Sequence, residues 1–307
     1  MYSTKKIGIA GANGFLGRNC ILNAIRNGIH VRGIVRRQEA ADLVAKLGAE
    51  TVIVRNLDRE ELAEAFKDCY GILHFIGIVS EEYGSLYEIN IRGTQTSLES
   101  AYRNNVSRFV VPTGLGVDQY GKKAWATNGY FASKRAIEEL CRSSEVPYVV
   151  FRPSYILGPG DELIENLMHE ILAGKVSVVG DGNISFQPIY VQDAATIFLS
   201  AATGMGRVNA IYDLVGPETI TFKELVSDVS RIMVQEGYVV PDYRIENIAV
   251  EEAPRVLGLS KDEVDIMLCD TLGDSKPLLR DFGIALSPLN VGLRAAVRAA
   301  KEKGVRS

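Results

Sequence analysis

Tyr130 and Lys134 stand four residues apart in "NGYFASKRAIEEL" (128–140). On a helix, residues at that spacing share one face, which sets an ammonium beside a phenol. The ammonium favours the phenolate and lowers a pKa that is ordinarily about 10. Such a phenol can exchange a proton with a substrate oxygen while a hydride moves at the neighbouring carbon. The spacing alone does not decide the matter, because Tyr2 and Lys6 repeat it near the start of the chain. The surroundings of Tyr130 must decide.

A second constellation lies in "IGIAGANGFLG", where Gly11, Gly14 and Gly17 fall three apart after a short β-branched run. Glycines at a strand-to-helix turn let a pyrophosphate approach the backbone. The helix behind them offers unpaired N–H groups and the positive end of its dipole. The next strand ends in "IVRRQEA". An acidic residue there would hydrogen-bond the adenosine ribose, as NAD requires; Arg36 and Arg37 suit a 2′-phosphate instead. Arg18, directly after Gly17, adds a third cation. The expected cofactor is NADP(H), with NAD as the alternative.

The elements that must position these groups alternate. "KKIGIA", "HVRGIV" (30–35), "TVIV" (51–54), "GILHFI" (71–76), "RFVVP" (108–112) and "PYVVF" (147–151) are short apolar runs. Helical patterns separate them, at 14–27, in "EAADLVAKLG", and at roughly 60–67, 85–104 and 129–143. Such alternation predicts right-handed crossovers and a parallel sheet covered on both faces, hence a doubly wound α/β Rossmann domain over residues 1–152. Residues 153–307 are expected to form a smaller, mainly helical substrate region packed on it. Within that region "GPGDELIENLMHEILAG" opens a helix, "QPIYVQDAATIFLSAA" leads from strand into helix, and "IYDLVG" reads as a strand.

Bulk properties narrow the class. The chain has 307 residues, a net charge of −4 and no basic block, so nucleic acid is not an expected partner. No apolar run reaches the roughly 20 residues that span a bilayer, and "MYSTKKIGIAGANG" leaves no room for a signal peptide. Cys20, Cys69, Cys141 and Cys269 are widely spaced and read as reduced thiols. The expected location is therefore cytoplasmic. His30, His74 and His169 are scattered, and no metal site is expected.

These motifs together resemble the extended and atypical short-chain dehydrogenase/reductase superfamily, the epimerase/dehydratase-like proteins. "GANGFLGR" resembles its glycine motif, "RNLD" (55–58) its adenine-bordering stretch, and "HFIG" (74–77) its cofactor-lining segment. "INIRGT" (89–94) resembles a helix motif with a structural asparagine, here Asn90. "FRPSYILGPGD" (151–161) and "GDGNISFQPIYVQDAA" (180–195) resemble motifs that open the substrate region. The stretch from Leu257 to Leu289 is similar to the branch containing the NADPH-binding accessory subunit of respiratory complex I. The resemblance implies that Asn13, Phe15, Leu16, Asn56, Leu57, Ile76, Gly77, Lys134 and Pro153 join the glycines and arginines in holding the dinucleotide. It also implies that Tyr130 is the acid/base and that Lys134 serves beside it.

The chain departs from the superfamily in three places. The hydroxyl that usually follows the fifth strand falls on Gly114 in "VVPTGLGV", and Thr113 is the candidate replacement. In sugar-nucleotide enzymes an asparagine and an arginine grip the substrate; those positions fall on Tyr155 and Phe186 here, which implies a less polar pocket. Three readings follow: an NADP(H)-dependent oxidoreductase with an unknown small-molecule substrate, a nucleotide-sugar epimerase or dehydratase, and a subunit that holds NADPH without turnover. The sequence is silent on oligomeric state.

Overall fold

The computed structural model describes residues 5–123 and 126–305; Tyr2, in the second tyrosine–lysine pair, lies outside them. Six strands come first in the chain: β1 (Lys6–Ala10), β2 (Val31–Val35), β3 (Glu50–Ile53), β4 (Cys69–His74), β5 (Arg108–Pro112) and β6 (Tyr148–Pro153). They form one parallel sheet in the order β3-β2-β1-β4-β5-β6, closed on the far side by a seventh strand, Ala210–Leu214. The order reverses between β1 and β4, the position where doubly wound sheets open a crevice beyond the strand ends.

Side chains alternate across the sheet. Ile7, Ile9, Val31 and Val35 pack on one face with helix α1 (Phe15–Arg26) and with Val191–Thr203. Ile34, Ile72, Phe109 and Val150 face the opposite way, toward α3 (Arg59–Ala65), α4 (Gly93–Arg103) and α5 (Gly129–Ser143). The short α2 (Gln38–Lys46) follows β2.

The Rossmann layer extends past residue 152. The helix Val191–Thr203 covers the sheet, and Ala210–Leu214 pairs with β6 from Val149 to Pro153. Between and after these returns lies a second core. Helices Glu162–Leu172, Phe222–Gln235 and Leu289–Glu302 bury Ile164, Val229, Ile232 and Leu293 against the strand Lys175–Val179. The chain thus visits the two cores alternately, because the apolar "IYDLVG" strand completes the sheet's edge. Among the described residues, no helix is long and apolar enough to cross a membrane.

Candidate functional site

The strand-to-helix turn after β1 assigns each glycine a separate task. Gly11 has φ +82°, the left-handed region, and a Cβ there would sit 2.9 Å from the backbone of Phe75. At Gly17 a Cβ would lie 2.5 Å from the Gly11 carbonyl oxygen and 2.6 Å from that of Ala12, so helix and strand meet at a distance only glycine permits. Gly14, the N-cap of α1, is different: a Cβ would meet only the Gly11 carbonyl oxygen, at 3.4 Å. That space is left open on the side where an anion would approach the helix N-terminus.

Gly11, Asn13 and Gly14 line a groove of about 410 Å³ together with Leu57, Ile76 and Gly77. Arg36, Arg37 and Arg55 stand along its wall, and none forms an ion pair among the described residues. Arg55 was not among the sequence candidates. Its only signal was a place next to Asn56, which does not line the groove. Phe15 and Leu16 turn away, Leu16 onto the sheet core and Phe15 beside Gly160. Arg18 donates to the Asn13 carbonyl at 3.2 Å and also faces Gly160.

The opening pair sits where this groove meets a second cavity. Asn128 caps α5 by accepting from the Phe131 N–H at 3.1 Å, which sets Tyr130 in the first turn and Lys134 one turn later. Buried Asn90 fixes the helix against the segment after β4. Its Oδ1 accepts from the Ile78 N–H at 2.8 Å, and its Nδ2 donates to the Ile78 carbonyl at 2.9 Å and to Ser133 Oγ at 3.0 Å. The Lys134 ammonium ends beside Gly77, 3.5 Å from where a Cβ would stand, and lies 5.7 Å from the Tyr130 ring centroid. Burial lowers the Lys134 pKa to about 8.

The Tyr130 hydroxyl occupies the notch that Gly114 leaves open; a Cβ there would stand 3.0 Å from it. It donates a long bond, 3.5 Å, to the Thr113 carbonyl. The spacing of Tyr130 and Lys134 predicts an ammonium that pulls this phenol's pKa down. Here burial dominates, with a smaller effect from Cys269, and the phenol is pushed well above its ordinary value. Tyr130 is accordingly protonated at neutral pH.

Thr113 is buried, and its hydroxyl donates to Glu138 Oε1 at 3.1 Å. Glu138 is itself gripped by Arg152, whose Nε and Nη2 donate to its two oxygens at 2.7 and 2.8 Å, and by Arg142 at 2.9 Å. The Thr113 side chain is thus committed to the clamp that ties β5 to α5.

The second cavity, about 390 Å³, is lined by Tyr130, Gly114, Pro153, Tyr155 and Phe186, joined by residues far along the chain such as Phe222, Ile266 and Thr271. Pro153 therefore lines this cavity rather than the groove. Tyr155 packs edge-on against Phe186, with ring centroids 6.3 Å apart, and donates its hydroxyl to Asp161. Burial raises the Asp161 carboxyl to about 6. Ser154 and Thr271 also reach the cavity and bond one another at 2.8 Å. Ser154, Glu263, Cys269 and Thr271 escaped sequence reasoning, because nothing local marks a residue as facing Tyr130. All four cysteines are free and buried, and no metal-binding cluster occurs among the described residues.

Comparison with known proteins agrees with this geometry. The profile of the NAD-dependent epimerase/dehydratase family matches residues 7–214. The 4-hydroxy-2-methyl-3-oxo-4-farnesyl-3,4-dihydroquinoline-1-oxide ketoreductase of Stigmatella aurantiaca is 28% identical over 250 residues, spanning 75% of this chain and 74% of that one. The 2-alkyl-3-oxoalkanoate reductase of Stenotrophomonas maltophilia is 24% identical over 259 residues, 73% and 74% of the two chains. Among solved structures, the Bordetella bronchiseptica enzyme WbmH in complex with NAD+ superposes with a TM-score of 0.75 at 22% identity, covering 98% of this chain and 99% of that one, a likeness of fold.

Proposed function

The chain belongs to the NAD-dependent epimerase/dehydratase family and is an oxidoreductase of the short-chain dehydrogenase/reductase type, and from that premise we propose that it reduces a carbonyl substrate with NADPH, Tyr130 giving the proton. One observation carries the reading. Lys134 reaches the groove at Gly77 while Tyr130, one turn away, opens into the carbon-lined cavity. The groove suits a dinucleotide: Gly14 leaves its space open, and Arg36, Arg37 and Arg55, which form no ion pair among the described residues, offer guanidinium groups to a ribose phosphate. When bound there, the dinucleotide supplies the hydride that adds to the carbonyl carbon.

The residues of the chain supply the rest. A phenol held protonated is a proton donor at neutral pH, and the developing alkoxide is a strong acceptor, so Tyr130 is suited to reduction. The nearby Lys134 ammonium stabilises the phenolate left behind and loses that role as pH rises through about 8. Asn90 and the Glu138–Arg152 clamp keep α5 and β5 in register around both groups. The names of the two relatives, a ketoreductase and a 3-oxoalkanoate reductase, fit a ketone carbonyl as the group reduced, and the carboxylate of the second relative's substrate is not carried over to this chain.

A second reading, a subunit that holds NADPH without turnover, draws on one feature. Gly114 has no side chain and Thr113 is bound to Glu138, so β5 offers no hydroxyl beside Tyr130. Consumption of NADPH with a panel of alkyl ketones separates the two. Tyr130→Phe should keep the fold and NADPH affinity and lower turnover by at least ~10²-fold. Full turnover in that variant would refute the proton-donor role, and no turnover in the wild type across the panel would favour the holder.

A further inference from the structure

Resting on the reductase reading above, we propose that the substrate is an uncharged, hydrocarbon-rich carbonyl compound and that the site turns away carboxylates and phosphates. The cavity walls make the first half of the case. Leu115, Phe131, Leu163, Ile184, Phe186 and Ile266 present carbon, and among the described residues no lysine, arginine or histidine lines the space. A buried anion without a cationic or multiply hydrogen-bonding partner is strongly disfavoured. The Lys134 ammonium stands beside Gly77, which lines the nucleotide groove.

The rim makes the second half. Glu263 lines the cavity and is locked in place: its Oε2 accepts from the Ser260 N–H at 2.9 Å and Ser260 Oγ at 2.8 Å, and its Oε1 accepts from the Tyr83 hydroxyl at 2.9 Å. Burial alone would raise this carboxyl, but the Ser260 and Tyr83 bonds together hold it below its ordinary value, so it is ionised at neutral pH. Around it stand carboxylates from three separate elements. Glu81 and Glu82 follow cavity-lining Val79, Glu162 precedes cavity-lining Leu163, and Asp262 adjoins Glu263. Asp262 is raised by burial and by the fields of Asp265, Glu81 and Glu263, and Tyr83 feels Glu263, Glu82 and Glu162, so these groups share one neighbourhood. Lys261 also acts on Asp262, and it is already paired with Asp265 at 3.2 Å.

An entering anion therefore meets a negative rim and then a mostly carbon wall that offers hydroxyls but, among the described lining residues, no cation. A neutral ketone meets neither obstacle, and its oxygen has the Tyr130 hydroxyl to accept from. The placement also separates the two halves of the active region: cations on the nucleotide wall, carboxylates at the substrate mouth. A dinucleotide and a substrate are thereby sorted by charge before either is recognised by shape.

The test uses the full chain and needs no turnover, so it stays independent of the Tyr130→Phe assay. Nile red, a neutral apolar dye, reports cavity occupancy by fluorescence, and 2-undecanone and undecanoate compete for it at pH 7.5. The ketone should displace the dye at concentrations at least ~10-fold lower than the carboxylate at low ionic strength, with the gap narrowing at high salt. The Glu162→Gln/Asp262→Asn double variant should narrow it at low salt as well. A Phe186→Arg variant, checked for folding by its melting transition, should bring undecanoate up to or past the ketone by giving the anion a partner. Equal displacement by the two ligands in the wild type would overturn the inference. So would a gap indifferent to salt and to both variants, or failure of the ketone to displace the dye at all. If the ranking holds while Tyr130→Phe keeps full turnover, the substrate class stands and the proton-donor assignment falls.

Discussion

The proposed nucleotide groove and the proposed substrate cavity meet at α5, yet they are built in opposite ways. The groove takes its glycines and arginines from the turns after β1, β2, β3 and β4, each a short, contiguous stretch. It presents backbone and cations that form no ion pair among the described residues. The cavity draws on residues from Val79 to Thr271, presents mainly carbon, and carries one carboxylate among its described lining residues, Glu263. A phosphate can be recognised by main-chain N–H groups that any strand–turn–helix provides. A hydrocarbon surface must be assembled from side chains that only the completed fold brings together. One half of the site is therefore set by local geometry and the other by long-range packing.

The largest test of that contrast is a pair of alanines. Gly17→Ala forces a methyl into two backbone carbonyls and should disrupt the turn, with loss of soluble folded protein or of all nucleotide binding. Gly14→Ala meets no such obstacle in the protein, and its backbone φ of −71° is open to alanine. It should fold normally and lose nucleotide affinity alone, by calorimetric titration. Equal melting temperatures for the two variants would break the distinction between a glycine needed by the fold and one needed by the ligand.

The charge on the groove wall comes next. Arg36→Ala combined with Arg55→Ala should cost NADPH roughly tenfold or more in affinity and leave NADH nearly unchanged, because phosphate pairing is the part removed. The preference in the wild type should shrink with salt. Equal wild-type affinity for the two dinucleotides would refute the assignment to NADP(H).

Lys134 sits between the two regions, and its burial has a consequence for stability. Its folded pKa, about 8, lies below the unfolded value near 10.5, so the unfolded chain binds more protons between those limits and stability rises with pH across them. The charged form is thus a penalty on the order of 3 kcal/mol that is full below pH 8 and gone above about 10.5. Lys134→Met should raise the melting temperature by several degrees at pH 7, with the gain fading toward pH 10, while turnover falls. A lower melting temperature at pH 7 would show that the ammonium is held favourably after all. In the wild type, kcat/KM for reduction should fall as pH rises through about 8, a limb that should be absent from Lys134→Arg, which stays charged.

The smallest effect is expected at Gly114. Serine there would restore a hydroxyl but place a Cβ 3.0 Å from the Tyr130 oxygen, and the ring must give by a few tenths of an ångström. Gly114→Ser should change turnover by only a few-fold, downward, in the steady-state assay. A gain of tenfold or more would mean that the missing hydroxyl, rather than the position of Tyr130, limits the rate.

The six strands of the first half, the helices between them and the three glycines were legible because each rests on a pattern within a dozen residues: apolar runs, helical spacing, a turn with no side chains. "RFVVP" and the helix at 129–143 match β5 and α5 residue for residue, the latter because Asn128 caps it and no glycine or proline interrupts it. The seventh strand was legible as a strand but not as part of this sheet, since an apolar run does not state its partner. The same limit applies to the site. Tyr130 and Lys134 could be read as a pair from a spacing of four. That burial lifts the phenol's pKa, that Glu138 claims the Thr113 hydroxyl, and that Glu263 and Thr271 face the same space as Tyr130 depend on segments up to 180 residues apart in the chain. Sequence determined the fold class and the nucleotide turn, because hydrogen bonding and steric limits of the backbone act between near neighbours. Tertiary structure decided the polarity of the cavity beside Tyr130 and the upward direction of that phenol's pKa. Dielectric surroundings and cavity walls belong to no single segment.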